Sequence, residues 1–135
     1  MPSHINKLTP NLIVSNVETS LAFYRDVLGF SVMMTVPDVA PYAFAGVSCG
    51  SVEIFLNAPE AAYEEYPAFK TMQIGGTMTL FIEVTEIEEA YARLAPQVRV
   101  IMPFEKKWYG MTEFAFLDPD GYVITFAQRA EPDPA

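Results

Sequence analysis

The stretch LTPNLIVSNVETSLAFYRDVLG, which spans residues 8–29, decides the fold of this chain. It begins with a short β-branched run that predicts a strand, and Ser15 and Asn16 then supply side chains of the kind that cap helix N-termini. Large side chains follow at helical spacing: Val17, Leu21, Tyr24 and Leu28. Gly29 ends the pattern, as glycine commonly does after a helix. The stretch therefore predicts a strand, a capped helix and a break.

A second stretch, TMTLFIEVTEIEEAYARLAP over residues 77–96, repeats this order. The run 77–84 predicts a strand, Thr85 the helix cap, and Pro96 the helix end. Three further strands are predicted after each helix: residues 30–36, 42–48 and 51–57 in the first copy, and 98–102, 112–118 and 122–128 in the second. The sequence thus predicts an α+β protein made of two tandem βαβββ modules.

Tight turns are predicted between the last two strands of each copy, through Cys49-Gly50 and through Asp118-Pro119-Asp120-Gly121. We expect one domain over residues 1–135, with module 1 at about 8–57, a linker at 58–76 and module 2 at about 77–128. Residues 61–69 of the linker are expected to hold a short helix. We interpret the linker as a lid or dimer arm, or equally as a solvated connector.

The charge balance limits the partners of this chain. Eight basic and seventeen acidic residues give a formal net charge of −9, which would repel nucleic-acid phosphates and attract a cationic ligand. No export signal is expected, and the longest uncharged runs fall short of the ~20 residues of a membrane span. The lone Cys49 cannot form an internal disulfide. We expect a cytoplasmic protein that contacts neither nucleic acid nor membrane.

Alternation along the predicted strands separates two faces of each sheet. The aliphatic and aromatic residues expected under the helices are Leu12, Val14, Val52, Ile54, Leu56, Met78, Leu80, Ile82, Val84, Ile124 and Phe126. The opposite phase is mixed: Thr9, Asn11, Ile13, Glu53, Phe55, Asn57, Thr77, Thr79, Phe81, Glu83, Val123, Thr125 and Ala127. Phe55 and Phe81 would be out of place on a solvated face. We interpret the mixed face as a ligand-sized groove, the alternative being a face buried by the other module or a second subunit.

Three phrases of the sequence resemble the vicinal oxygen chelate superfamily, which includes glyoxalase I, bleomycin-resistance proteins, fosfomycin-resistance enzymes and extradiol dioxygenases. They are Val14-Ser15-Asn16-Val17, residues 20–30 (SLAFYRDVLGF) and residues 116–124 (FLDPDGYVI). The resemblance covers about residues 8–128. It implies paired βαβββ modules that form an incomplete, curled mixed sheet around a U-shaped cleft, commonly in a homodimer.

The resemblance also implies where a metal would be bound. Metal-dependent members place His, Gln or Glu on the first and last strands of each module, and the corresponding positions here are Thr9, Glu53, Thr77 and Thr125. Only Glu53 keeps a ligand type, because a threonine hydroxyl is a weak donor to a transition metal. We therefore expect no bound metal and no cofactor. Glu53 is interpreted as a hydrogen-bond acceptor or as the counter-charge of a ligand cation.

The leading hypothesis is a metal-free, homodimeric protein of the bleomycin-resistance type that binds a cationic or amphipathic small molecule. The expected ligand-binding residues are Asn11, Glu53, Phe55, Asn57, Thr79, Phe81, Glu83, Trp108 and Tyr109. No catalytic residue is assigned, although Glu53 and Glu83 are candidate general bases. The alternatives are a metal-dependent lyase, isomerase or dioxygenase with atypical ligands, and a partner-binding protein that uses the 58–76 segment.

Overall fold

Two βαβββ modules follow one another in the computed structural model, which describes residues 4–130. Module 1 contains β1 (Asn11–Ile13), α1 (Val17–Ala22), β2 (Ser31–Val36), β3 (Phe44–Cys49) and β4 (Val52–Asn57). Module 2 contains β5 (Thr79–Glu83), α3 (Ile87–Leu94), β6 (Arg99–Lys106), β7 (Met111–Leu117) and β8 (Val123–Arg129). Between them lie α2 (Pro59–Glu65) and a 3₁₀ turn (Pro67–Thr71), near the short helix predicted at 61–69.

Each module folds its four strands into one mixed sheet, with the orders β1-β4-β3-β2 and β5-β8-β7-β6. The first strand runs parallel to the last, and the remaining neighbours are antiparallel. The predicted α+β class is confirmed. The described residues divide after Thr71 into two compact units, and the expectation of one domain over residues 1–135 stays a prediction.

The strand predictions are close to the observed bounds except at β6. This strand was expected to end at residue 102, but it continues to Lys106, past Pro103. Proline is tolerated there because β6 is an edge strand, and its pairing with β7 already shifts register between Met102 and Glu105. The two predicted turns are present, and their glycines Gly50 and Gly121 have φ of 57° and 88°.

The first helix forms as its local sequence predicts. The Asn16 side chain accepts a hydrogen bond from the Thr19 backbone N–H at 2.8 Å, and the helix continues from α1 into a π-helical turn at Phe23–Val27. Val17, Leu21, Tyr24 and Leu28, spaced for one helical face, are all buried.

The second helix is capped from elsewhere, so the predicted cap at Thr85 is wrong. The N-cap residue is Glu86, whose left-handed φ of 54° comes without any side-chain cap bond. Instead, Oε1 of Gln128 on β8 accepts the Ile87 backbone N–H at 2.9 Å. A residue 41 positions away in sequence therefore supplies the bond that a local cap normally provides.

The helix-facing phase of the strands forms the core of each module. Among the residues predicted there, the following are buried: Leu12, Val14, Ile54, Leu56, Leu80, Ile124 and Phe126. Met78 is an exception, with 46% of its surface exposed, because β5 begins one residue later, at Thr79, and strand alternation does not extend to it. No helix among residues 4–130 is long and apolar enough to cross a membrane.

Gly75 provides a test of packing in module 2. Its φ is +89°, and a Cβ built on it would overlap the Asp120 carbonyl oxygen in the β7–β8 turn. We expect Gly75→Ala to destabilise the fold by about 3 kcal/mol, since the left-handed conformation costs about 1 kcal/mol and the overlap about 2 kcal/mol more. Urea denaturation monitored by circular dichroism measures the change.

Gly29→Ala is the matched control for this substitution. Gly29 has a similar φ of +84°, but a Cβ there would meet nothing within 4 Å. Its replacement should therefore cost only the conformational part, about 1 kcal/mol. Equal losses at the two positions would contradict the packing argument.

Candidate functional site: the helix-free faces of the two sheets

The sheet of module 1 places three of the predicted ligand-binding residues beside one another. Asn11 is the register partner of Phe55, and Ile13 that of Asn57, across the parallel β1–β4 pair. Register partners share a sheet face, so Asn11, Phe55 and Asn57 lie on the side opposite the core residues Ile54 and Leu56. We call this surface, together with Glu53 and the partners on β2 and β3, the N-terminal face.

The two asparagines of the N-terminal face bind one another. Nδ2 of Asn57 donates a hydrogen bond to Oδ1 of Asn11. A primary amide has two N–H donors and an acceptor oxygen, so the pair retains capacity for both a donor and an acceptor bond. The amide pair can thus recognise a ligand edge that carries both functions.

Glu53 is already engaged by the chain itself. Nζ of Lys7 donates to Oε2 of Glu53, and the two side chains are 55% and 20% exposed. Thr9, the neighbouring position that the family resemblance marks, is half-buried. A carboxylate with an internal cationic partner is less available as the counter-charge of a ligand cation. This pair could not be predicted from sequence patterns, because Lys7 lies on the segment before β1.

Sequence reasoning missed Phe44 on the N-terminal face. Phe44 is the register partner of Asn57, and its ring packs edge-on against Phe55 with centroids 5.1 Å apart and planes at 60°. Alternation of side chains along β3 could have predicted this position, since it puts Phe44 on the same sheet face as Gly46. An aromatic pair, rather than a single ring, therefore lies beside the amide pair.

In module 2, the threonine at a family metal position is hydrogen-bonded to another threonine. The Oγ1 atoms of Thr79 and Thr125 are 2.7 Å apart, and Thr79 Oγ1 donates to the Val123 carbonyl at 3.1 Å. Each hydroxyl can donate one proton and accept another, so either threonine can be the donor in this pair. Thr77 is exposed and precedes β5, so the hydroxyl that meets Thr125 is that of Thr79.

Phe81 and Glu83 follow Thr79 on the same side of β5. Phe81 pairs with Thr125 and Glu83 with Ala127, and together these residues and Glu113 define the C-terminal face. The Phe81 side chain is 52% exposed, and Glu83 is exposed as well. An open aromatic ring two residues from a carboxylate is a suitable surface for an organic cation.

The β6–β7 turn carries Trp108 and Tyr109. Trp108 is 94% exposed, and its ring packs edge-on against Tyr109 with centroids 5.3 Å apart. Below the turn, the Tyr109 hydroxyl donates to Oε2 of Glu113 at 2.5 Å, and Lys107 pairs with Glu105 at 2.5 Å. The turn is therefore held by its own ion pair and hydrogen bond, which leaves the indole free to contact other molecules.

Glu113 is a second residue that sequence reasoning missed. It is only 3% exposed, in a β7 strand that is otherwise mostly apolar. The hydrogen bond to Glu113 raises the pKa of Tyr109 to about 12, with partial burial and the charges of Glu113 and Glu105 adding to the effect. The sequence pattern that could have identified Glu113 is a single carboxylate inside an apolar strand, because such a group needs a partner when buried.

The described side chains do not fit a metal ion. Within residues 4–130, no three His, Cys, Asp or Glu side chains are grouped in a way that could hold one. Glu53 binds Lys7, and Thr125 binds Thr79. Module 2 also has a groove of about 380 Å³ at the start of α3, lined by Glu86, Glu88, Glu89 and Gln128, among others.

Comparisons with known proteins agree with this architecture. Residues 3–126 match the family model described as glyoxalase/bleomycin resistance protein/dioxygenase superfamily. Bleomycin resistance proteins of Geobacillus stearothermophilus and Staphylococcus aureus are 29% identical over 130 residues, which covers 89% of this chain and 94% of theirs.

Solved structures show the same fold. A glyoxalase/bleomycin resistance protein/dioxygenase from Nocardioides has a TM-score of 0.79 at 22% identity, covering 100% of this chain and 91% of its own. A superfamily member from Sphaerobacter thermophilus has a TM-score of 0.74 at 26% identity, covering 93% and 98%.

The Tyr109–Glu113 bond is testable by titration. We expect Glu113→Gln to lower the pKa of Tyr109 from about 12 toward the ordinary value of about 10, because the anionic acceptor is removed. Since the pKa is raised in the folded state, the bond stabilises the protein below about pH 10, and this contribution is lost as pH rises through 12. NMR of Cζ-labelled tyrosine, assigned with Tyr109→Phe, reports the pKa.

Glu105→Gln is the control for this titration. Glu105 acts on Tyr109 only through its charge, the smallest of the named causes. Its replacement should lower the pKa less than Glu113→Gln does. The reverse order would show that the hydrogen bond is not the main cause.

Proposed function

Because this chain belongs to the glyoxalase/bleomycin resistance protein/dioxygenase superfamily, we propose that it binds and sequesters an amphipathic, cationic small molecule without a metal ion. The observation that carries this proposal is the exposed Phe81 ring beside Glu83 on the C-terminal face. The ring offers stacking area and cation–π attraction, and the carboxylate offers a counter-charge. The net charge of −9 would favour the approach of a cation.

The relatives support binding rather than a particular ligand. Curated proteins 29% identical to this chain are named bleomycin resistance proteins. The proposal transfers from them only the general activity, capture of an organic compound. The exposed Trp108 and the half-exposed Tyr109 would add stacking area from the β6–β7 turn.

The metal-free part of the proposal is supported by the donors at the family positions. Thr9, Thr77 and Thr125 offer neutral hydroxyls, and the Thr125 hydroxyl is already hydrogen-bonded to that of Thr79. The remaining ligand type, Glu53, is paired with Lys7. A metal ion would therefore have to displace the threonine hydrogen bond and the ion pair. It would gain only one strong ligand in exchange.

We also propose that the protein acts as a homodimer in a reducing, cytoplasmic environment. The exposed Cys49 is the only cysteine of the chain and would be a liability under oxidising conditions. Sedimentation analysis at micromolar concentration would test the dimer directly.

Binding of an aromatic cation tests the proposal. We expect 2-naphthylmethylammonium to bind the wild type, and we expect Phe81→Ala and Glu83→Gln each to weaken it about three-fold, the size of an exposed cation–π or ion-pair contact. Isothermal titration calorimetry measures the dissociation constants. Glu60→Gln, which removes an equal charge from exposed α2, should leave the affinity unchanged. Equal losses in Glu83→Gln and Glu60→Gln, with none in Phe81→Ala, would mean that net charge alone attracts the cation.

Metal analysis separates binding from enzymatic function. We expect protein purified without chelators to contain far less than one transition-metal ion per chain. We also expect dialysis against EDTA to leave the affinity for 2-naphthylmethylammonium unchanged. Inductively coupled plasma mass spectrometry provides the measurement. A stoichiometric ion that disappears in Glu53→Ala would instead assign a metal-dependent lyase, isomerase or dioxygenase.

A further inference from the structure

A glycine lies in the middle of a strand on the N-terminal face. Gly46 of β3 is buried and pairs in register with Phe55 on β4 and Met34 on β2. Glycine weakens a strand and commonly marks a close approach of another group to the backbone. A Cβ built on Gly46 would lie 3.5 Å from Cγ of Met34 and 3.5 Å from Cδ1 of Phe55. The Phe55 ring and the Met34 side chain therefore lie over the glycine.

The Phe55 ring is also fixed from the side. Phe44 packs edge-on against it at 5.1 Å, so its position is set by the glycine beneath and the ring beside it. Phe55 remains half-buried, and Met34 is 50% exposed. Part of the ring surface and a flexible thioether thus stay open to a further planar group, a combination that favours aromatic partners.

Polar recognition is available next to this ring. Asn11 is the direct register partner of Phe55, and Asn11 and Asn57 are hydrogen-bonded to each other. The amide pair keeps donor and acceptor capacity, which complements a ligand edge that also has both.

The charge around the ring is balanced within the chain. The nearest carboxylate on β4 is Glu53, and Lys7 neutralises it. The strand partners Phe44, Gly46 and Met34 have no charge. The N-terminal face therefore lacks the free counter-charge that Glu83 gives to the C-terminal face.

We propose that Met34, Phe44, Gly46 and Phe55, with the Asn11–Asn57 amide pair, form a platform that binds an electrically neutral planar aromatic group with an amide-like edge. The inference rests on the proposed function and names a second chemical class for it. Gly46 is a positioning residue, since its lack of a side chain leaves room for the Phe55 ring over the β3 backbone.

Two substitutions at one position test this role. Alanine fits, because its Cβ would make ordinary contacts at 3.5 Å, whereas the two extra methyl groups of valine would displace the Phe55 ring. With naphthalene-2-carboxamide as the probe, we expect Gly46→Ala to bind within two-fold of wild type and Gly46→Val to bind at least ten-fold more weakly. Titration followed by the ¹³C-methyl resonance of Met34 measures both the affinity and the ring-current shift.

A second probe distinguishes a lost platform from a damaged protein. Binding of 2-naphthylmethylammonium at Phe81 and Glu83 should be unchanged in Gly46→Val, because those residues belong to module 2. If Gly46→Val fails to fold, Phe55→Leu replaces it, with the same ten-fold loss expected for the amide probe.

Lys7→Gln tests the charge argument. Lys7 is 55% exposed, so its replacement should leave the fold intact while freeing the Glu53 carboxylate. We expect this variant to add a Met34 methyl shift with 2-naphthylmethylammonium that the wild type does not show, and to leave affinity for the neutral amide within two-fold.

The outcomes separate the two proposals. Undiminished amide binding in Gly46→Val or Phe55→Leu, the absence of a Met34 shift, or stronger wild-type binding of the ammonium than of the amide at Met34 would overturn the platform. The sequestration function would still stand if the ammonium binds through Phe81 and Glu83. If neither probe nor any other compound raises the melting temperature of the wild type, both proposals fall.

Discussion

The hydrogen bonds between the first and last strands of each module are the constraint on which both candidate faces depend. In module 1 the Val14 N–H donates to the Asn57 carbonyl at 2.9 Å, and in module 2 the Val84 N–H donates to the Ala127 carbonyl at 2.8 Å. These bonds fix a parallel register across more than forty residues of chain, and that register puts Asn11 beside Phe55 and Phe81 beside Thr125. A slip of one residue would turn every one of these side chains to the helix side.

Sequence patterns identified what local chemistry determines. Helical spacing placed Val17, Leu21 and Leu28 in the core, and the Asn16 cap and the Asp118–Gly121 turn were readable because their bonds lie within a few residues. The failures have a common cause. Gln128 capping α3 and Lys7 pairing with Glu53 each join residues more than forty positions apart, so only the folded register creates them. The assigned roles of the predicted ligand-binding residues stay predictions.

The two helix-free faces differ in how they treat charge, although the chain as a whole is strongly acidic. Glu53 is balanced by Lys7, and the rest of that surface consists of amides, rings and a thioether. On module 2, Glu83 is exposed, and Glu113 is buried under the Tyr109 hydroxyl. The two βαβββ units share one strand order, but their helix-free faces carry different chemical groups. Net charge alone would have suggested a uniform preference for cations.

The Gln128 cap has a consequence for how the chain is made. The eight-residue helix α3 is too short to be stable on its own, and the acceptor for its first N–H lies on the final strand. During synthesis from the N-terminus, module 1 can complete its hydrogen bonding before residues near 128 are available to α3. Module 2 therefore folds only after β8 has been synthesised. A chain that stops before that strand would leave both the helix and the Phe81 surface unformed.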